Sequence, residues 1–81
     1  MRQPKRARAD EDSPRPYRLW DANNKINLRW RYYSDPKRAH MGAIIECRWS
    51  KEGTVIEVYN AATGQLLGQY KRLATSIAFY R

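Results

Sequence analysis

The run Arg29-Trp30-Arg31-Tyr32-Tyr33 interleaves guanidinium groups with aromatic rings. Those are the two side-chain types a nucleic acid asks for: cations meet phosphate oxygens, and ring faces stack on unpaired bases. An extended chain through 25–33 puts Arg29, Arg31 and Tyr33 on one face, where they can follow a phosphate backbone. Trp30 and Tyr32 then fall on the other face and read first as core aromatics. Around this run lie Arg18, Trp20, Lys25, Lys37, Arg38 and His40. Between Lys25 and His40 there are five Lys or Arg and one acid, Asp35. Arginine outnumbers lysine in the run itself, which suits bidentate phosphate recognition.

A second basic cluster, Lys5, Arg6 and Arg8, sits near the N-terminus. It can neutralise phosphates as a flexible arm, and it also fits a short nuclear-import pattern. The stacking candidates are Trp20, Trp30 and Tyr33. The phosphate candidates are Arg29, Arg31, Lys37, Arg38 and Arg48, with Lys5, Arg6 and Arg8 as the loose arm.

Catalytic constellations find little support. His40 is the single histidine and Cys47 the single cysteine. One of each cannot make a structural zinc site, and no Gly-rich phosphate loop is present. Glu46 and Glu57 fall on neighbouring expected strands, where pairing with a cross-strand cation such as Arg48, Lys71 or Arg72 is the simpler role. The expectation is a non-enzymatic chain with no cofactor and no metal.

The whole chain has 81 residues, with 16 Lys plus Arg against 8 Asp plus Glu, a net charge of +8. A single small domain of this size has a thin core, because it buries only about 60% of its extended surface. Such a chain favours a binding surface over a deep catalytic pocket. One cysteine allows no internal disulfide, which points to an intracellular setting, cytoplasmic or nuclear. There is no apolar run long enough to span a bilayer and no amphipathic helix to lie on one, so a membrane partner is not expected.

These residues need elements to position them. Residues 1–16 carry three prolines, many charges and few apolar side chains, so the reading is a disordered basic tail followed by a β domain over 17–81. Short aromatic and β-branched runs then alternate with turn signals. Strands are expected at Tyr17–Trp20, Lys25–Tyr33, Ala43–Ser50, Thr54–Asn60, Gln65–Arg72 and Thr75–Tyr80. In Lys25–Tyr33 the alternation sets Ile26, Leu28, Trp30 and Tyr32 against Asn27, Arg29, Arg31 and Tyr33. In Ala43–Ser50 it sets Ile45, Cys47 and Trp49 against Ile44, Glu46 and Arg48. Segment 34–42, with Pro36 and Gly42, reads as a loop with at most one helical turn. Gly53 is placed to take a positive φ in a tight connection.

The expected fold class is all-β: an antiparallel meander of four or five strands, open or curled into a small barrel. Its core draws on Ile45, Cys47, Trp49, Ile56, Val58, Leu66, Ile77 and Phe79. Cys47 is read as an inert core thiol. The expected partner is nucleic acid, DNA or RNA, single-stranded or weakly sequence-specific. The alternative is a protein partner with an acidic surface, gripped by a small viral, phage or mobile-element factor that inhibits or scaffolds a host protein. Three Trp and six Tyr exceed what so small a core holds, and exposed aromatics beside arginine also make protein interfaces. Small sheets with free edges often pair with a second copy, so a homo-oligomer belongs among the expected partners.

Overall fold

The structure, a computed structural model, describes residues 6–81 except for the side chains of Arg29, Trp30 and Arg31. It is mostly β. Strands β1 (Tyr17–Asp21), β2 (Ile26–Tyr33), β3 (Val55–Asn60), β4 (Leu66–Arg72) and β5 (Ile77–Tyr80) flank one helix, α1 (Pro36–Arg48). All neighbouring strands pair antiparallel, in the order β2-β1-β3-β4-β5. The sheet is open, with β2 and β5 as its edges, so the barrel alternative falls. Its core strand is β3, between β1 and β4. Because β2 and β3 both run antiparallel to β1, they are parallel to each other, and α1 is the crossover joining them.

Five expected strands appear within two residues of their expected starts. The sixth does not. Ala43–Ser50 is not a strand, and the meander consists of β3, β4 and β5 alone. A helix starts at Asp35, whose carboxylate accepts the Lys37 N–H at 2.9 Å. Pro36 follows at the first helical position, where its fixed φ fits and its missing N–H is no loss. Ala39, Ala43 and Cys47 are buried at a spacing of four, the helical period that the strand reading overlooked.

These small residues let α1 lie close to the sheet. They pack with Leu19, Leu28, Ile56, Val58 and Tyr70. Fully burying a side chain such as Leu19, Ile56 or Val58 contributes about 1.5–3 kcal/mol. The closest approach is at Gly42. A Cβ there would lie 2.1 Å from the Tyr33 hydroxyl oxygen, so a larger residue would have to push the Tyr33 ring aside where the helix passes the β2 edge.

Of the expected core, Cys47, Ile56 and Val58 are buried, and Ile77 packs against the cluster half-buried. Ile45, Trp49, Leu66 and Phe79 are exposed. Ile45 and Trp49 moved outward because a helix turns them away from Ala43 and Cys47. Leu19, Trp20, Leu28, Ala39, Ala43, Tyr59, Ala61 and Tyr70 complete the buried apolar set.

The strict alternation of β2 also fails. Its register with β1 shifts between Arg18 and Trp20, so Tyr32 faces Arg18 but Asn27 faces Trp20. Leu28 and Tyr33 belong to the helix-side core, whereas Tyr32 meets the Arg18 guanidinium on the other side. A bulge adds residues to one strand only, and every side chain beyond it changes face. Leu28 and Tyr32 therefore do not share a face.

The β1–β2 turn is built on Asp21. Its carboxylate accepts from the N–H groups of Asn23 and Asn24 and from the Asn24 side chain, and Lys25 takes a left-handed φ of 55°. Gly53 has φ 90°, as its place in the α1–β3 connection requires. Among residues 6–16 no helix or strand occurs. This segment lies along the sheet face opposite α1, with the Ala9 N–H on the Ala61 carbonyl (3.1 Å) and the Ala61 N–H on the Pro16 carbonyl (2.8 Å).

Candidate nucleic-acid interface

A helix presents a new side chain every 100°, and that rotation sorts α1 into two arcs. Ala39, Ala43 and Cys47 define the inner arc. Lys37, Arg38, Met41, Ile45 and Arg48 all project within about 100° of one another on the outer arc. Trp49, the C-cap residue, continues it. All six are exposed. Trp49 is 83% exposed, Met41 61% and Ile45 47%. From Lys37 to Arg48 the arc runs for about 16 Å along the helix axis.

The charge on this face is one-signed. Three cations and no carboxylate occupy it. The first turn of α1 carries Lys37 and Arg38 and no acid. Cations there oppose the helix dipole and cost a few tenths of a kcal/mol, so local stability does not explain their position. The helix face thus unites three phosphate candidates, Lys37, Arg38 and Arg48. In sequence they are split between an expected loop, 34–42, and an expected strand, Ala43–Ser50. Met41, Ile45 and Trp49 join them as surface residues that a period of two does not mark. The available signal was the Asp35-Pro36 helix start, which converts a period of two into a period of four.

Other candidates fall elsewhere. Trp20 is 7% exposed and clusters with Tyr59 and Ala61 on the opposite sheet face. Tyr33 packs half-buried against the helix-side core. Arg29, Trp30 and Arg31 belong to the edge strand β2, but their side chains lie outside the described residues, as does Lys5 altogether. Arg8 is exposed, and its carbonyl accepts from Arg18 at 3.1 Å. The Arg18 guanidinium in turn lies 4.3 Å from the centre of the Tyr32 ring. Arg6 pairs with the Glu57 carboxylate.

No protein-family model matches this chain, and the curated proteins and solved structures contain no significant match to it either.

Nothing resembling a catalytic group accompanies the outer face. His40 sits on α1, not in a loop, and turns toward the sheet. Its Nδ1 lies 2.8 Å from the Tyr70 hydroxyl, and its ring meets Tyr70 and Phe79 edge-on. Burial, with Arg81 nearby, lowers its pKa. Cys47 is buried, with its thiol 3.2 Å from the Tyr70 carbonyl, and burial raises its pKa. A thiol held protonated is a poor nucleophile. Among the described residues no group of three or more His, Cys, Asp and Glu could hold a metal. Nor is any described helix long and apolar enough to cross a membrane.

Proposed function

We propose that the outer face of α1 binds nucleic acid, single-stranded or weakly sequence-specific. Lys37, Arg38 and Arg48 would meet phosphates and Trp49 would stack on a base. The observation that carries this reading is the gathering of three cations and an 83% exposed tryptophan on one helical arc free of carboxylates. A tryptophan so exposed contributes nothing to the core, and base–aromatic stacking is worth about 1–3 kcal/mol per base. The net charge of +8 adds long-range attraction for a polyanion.

One observation favours the acidic-protein alternative. Met41 and Ile45 stand between the cations, and phosphates have no use for aliphatic surface. An acidic amphipathic peptide would use both.

Titration with a labelled single-stranded oligonucleotide at about 50 mM and about 200 mM salt tests the proposal. Three phosphate contacts predict a slope of log affinity against log salt near −2, at about 0.7 per contact. Replacing Lys37, Arg38 and Arg48 together by Gln should flatten that slope. No binding at low salt overturns nucleic acid as the ligand, and a slope indifferent to the triple replacement overturns the outer face of α1 as its site.

A further inference from the structure

A line of registered residues crosses the sheet face opposite α1. Asn27 pairs with Trp20, Trp20 with Glu57, Glu57 with Gln69, and Gln69 with Tyr80. Glu57 lies in the middle of this line, on the central strand, and is only 5% exposed. A carboxylate so placed is costly unless a donor or cation completes it. Gln69 donates to one of its oxygens, and Arg6 of the N-terminal segment reaches the other.

The surroundings of Arg6 are those of a reader of guanidinium. Its Cζ lies 5.9 Å from the Trp20 ring centre and 5.8 Å from that of Tyr59. A flat, weakly hydrated guanidinium can lie against rings while it donates in-plane to a carboxylate, and a compact ammonium cannot do both as well. The Tyr59 hydroxyl is itself fixed, donating to Asn27 Oδ1 at 2.5 Å and lying 3.1 Å from the Ala7 carbonyl. Burial raises the Tyr59 pKa, so the hydroxyl stays protonated and able to donate.

The Arg6 side chain remains 41% exposed, whereas that of Glu57 is 7% exposed. The ligand group therefore enters from the mouth and can leave without opening the core. An open cleft of about 640 Å³ adjoins it, bordered by Arg8, Lys25 and the loop 61–64.

We propose that Trp20, Glu57, Tyr59 and Gln69 form a receptor for an arginine side chain, which Arg6 fills as a tethered ligand and which an arginine of a partner peptide can fill in its place. The cationic rim, Arg8 and Lys25, selects an arginine with neutral or acidic neighbours. The receptor occupies the sheet face away from α1, so it stands independently of the nucleic-acid reading.

The test uses the full chain with Arg6→Ala, which vacates the receptor at its solvent mouth. N-acetyl-arginine amide is titrated while the Trp20 indole and Tyr59 ring signals are followed by NMR. Saturable shifts in the millimolar range are expected, with N-acetyl-lysine amide at least about tenfold weaker. The wild-type chain should respond at least about tenfold more weakly than Arg6→Ala, because a tethered ligand competes at high effective concentration. Adding Glu57→Gln to Arg6→Ala should abolish the response. Should that double variant not fold, Arg6→Lys serves: its Trp20 and Tyr59 signals should resemble those of Arg6→Ala and return toward wild type when the arginine amide is added. A folded Arg6→Ala chain without saturable shifts, equal response to arginine and lysine, or equal response of wild type and variant overturns the receptor.

Discussion

Two faces of this small protein use the same side-chain types in opposite ways. On the outer arc of α1, Lys37, Arg38 and Arg48 stand beside Trp49 with no carboxylate among them. Across the sheet, Arg6 stands beside Trp20 and Tyr59, and there Glu57 takes the charge. One tryptophan is 83% exposed and the other 7%. The difference is a single buried carboxylate and a segment of chain laid over it. Cations with aromatics form an outward binding surface when nothing neutralises them, and a closed contact when an internal acid does.

Substitutions can break this contrast, beginning with the two tryptophans. Trp20→Ala should destabilise the fold by about 3 kcal/mol or more, because it empties a buried aromatic site. Urea unfolding reads that loss. Trp49→Ala should shift stability by less than about 0.5 kcal/mol, yet weaken oligonucleotide binding by about 1–3 kcal/mol. If the two variants lose equal stability, the faces are not distinct in kind.

Next in size is Tyr59→Phe. It removes a hydroxyl that links Asn27 and Ala7 across the closed face. The expected loss is about 1 kcal/mol in urea unfolding, with oligonucleotide affinity unchanged. A fall in affinity would place nucleic acid on the closed face instead.

The smallest effect concerns pH. His40 has a pKa below its ordinary value in the folded chain, chiefly through burial. The unfolded chain therefore binds the proton more readily. Stability should be complete above the unfolded value of about 6.5 and decline as pH falls from there through the folded pKa. His40→Gln should remove that part of the decline in thermal midpoints measured across this range. An unaltered profile would show that the imidazole against Tyr70 takes up its proton as readily in the folded chain as in the unfolded one.

The strands were legible because their signals are local. Asp21-Ala22-Asn23-Asn24 turns on side-chain-to-backbone bonds, and Gly53 supplies the left-handed backbone of its connection. β-branched and aromatic runs between such turns leave few alternatives to extended chain. The stretch Ala43–Ser50 was ambiguous for a physical reason. Its residues Ile45, Cys47 and Trp49 fit a period of two, while Ala39, Ala43 and Cys47 fit a period of four. Within so short a window, periodicity alone does not decide which set is buried. The cap at Asp35 tipped the balance, and it carried Lys37, Arg38 and Arg48 onto one face.

By itself, then, the amino-acid order determined an antiparallel, mostly β chain with excess positive charge, since turn chemistry, side-chain branching and net charge act over a few residues or by simple sum. The tertiary structure alone decided which cations stand together and which are neutralised. Glu57 meets Arg6 across 51 positions of sequence, and the β2 bulge sends Tyr32 to the face opposite Leu28. Such pairings depend on register and on the rotation of a helix, and a shift of one residue in either would turn every side chain to a different neighbour.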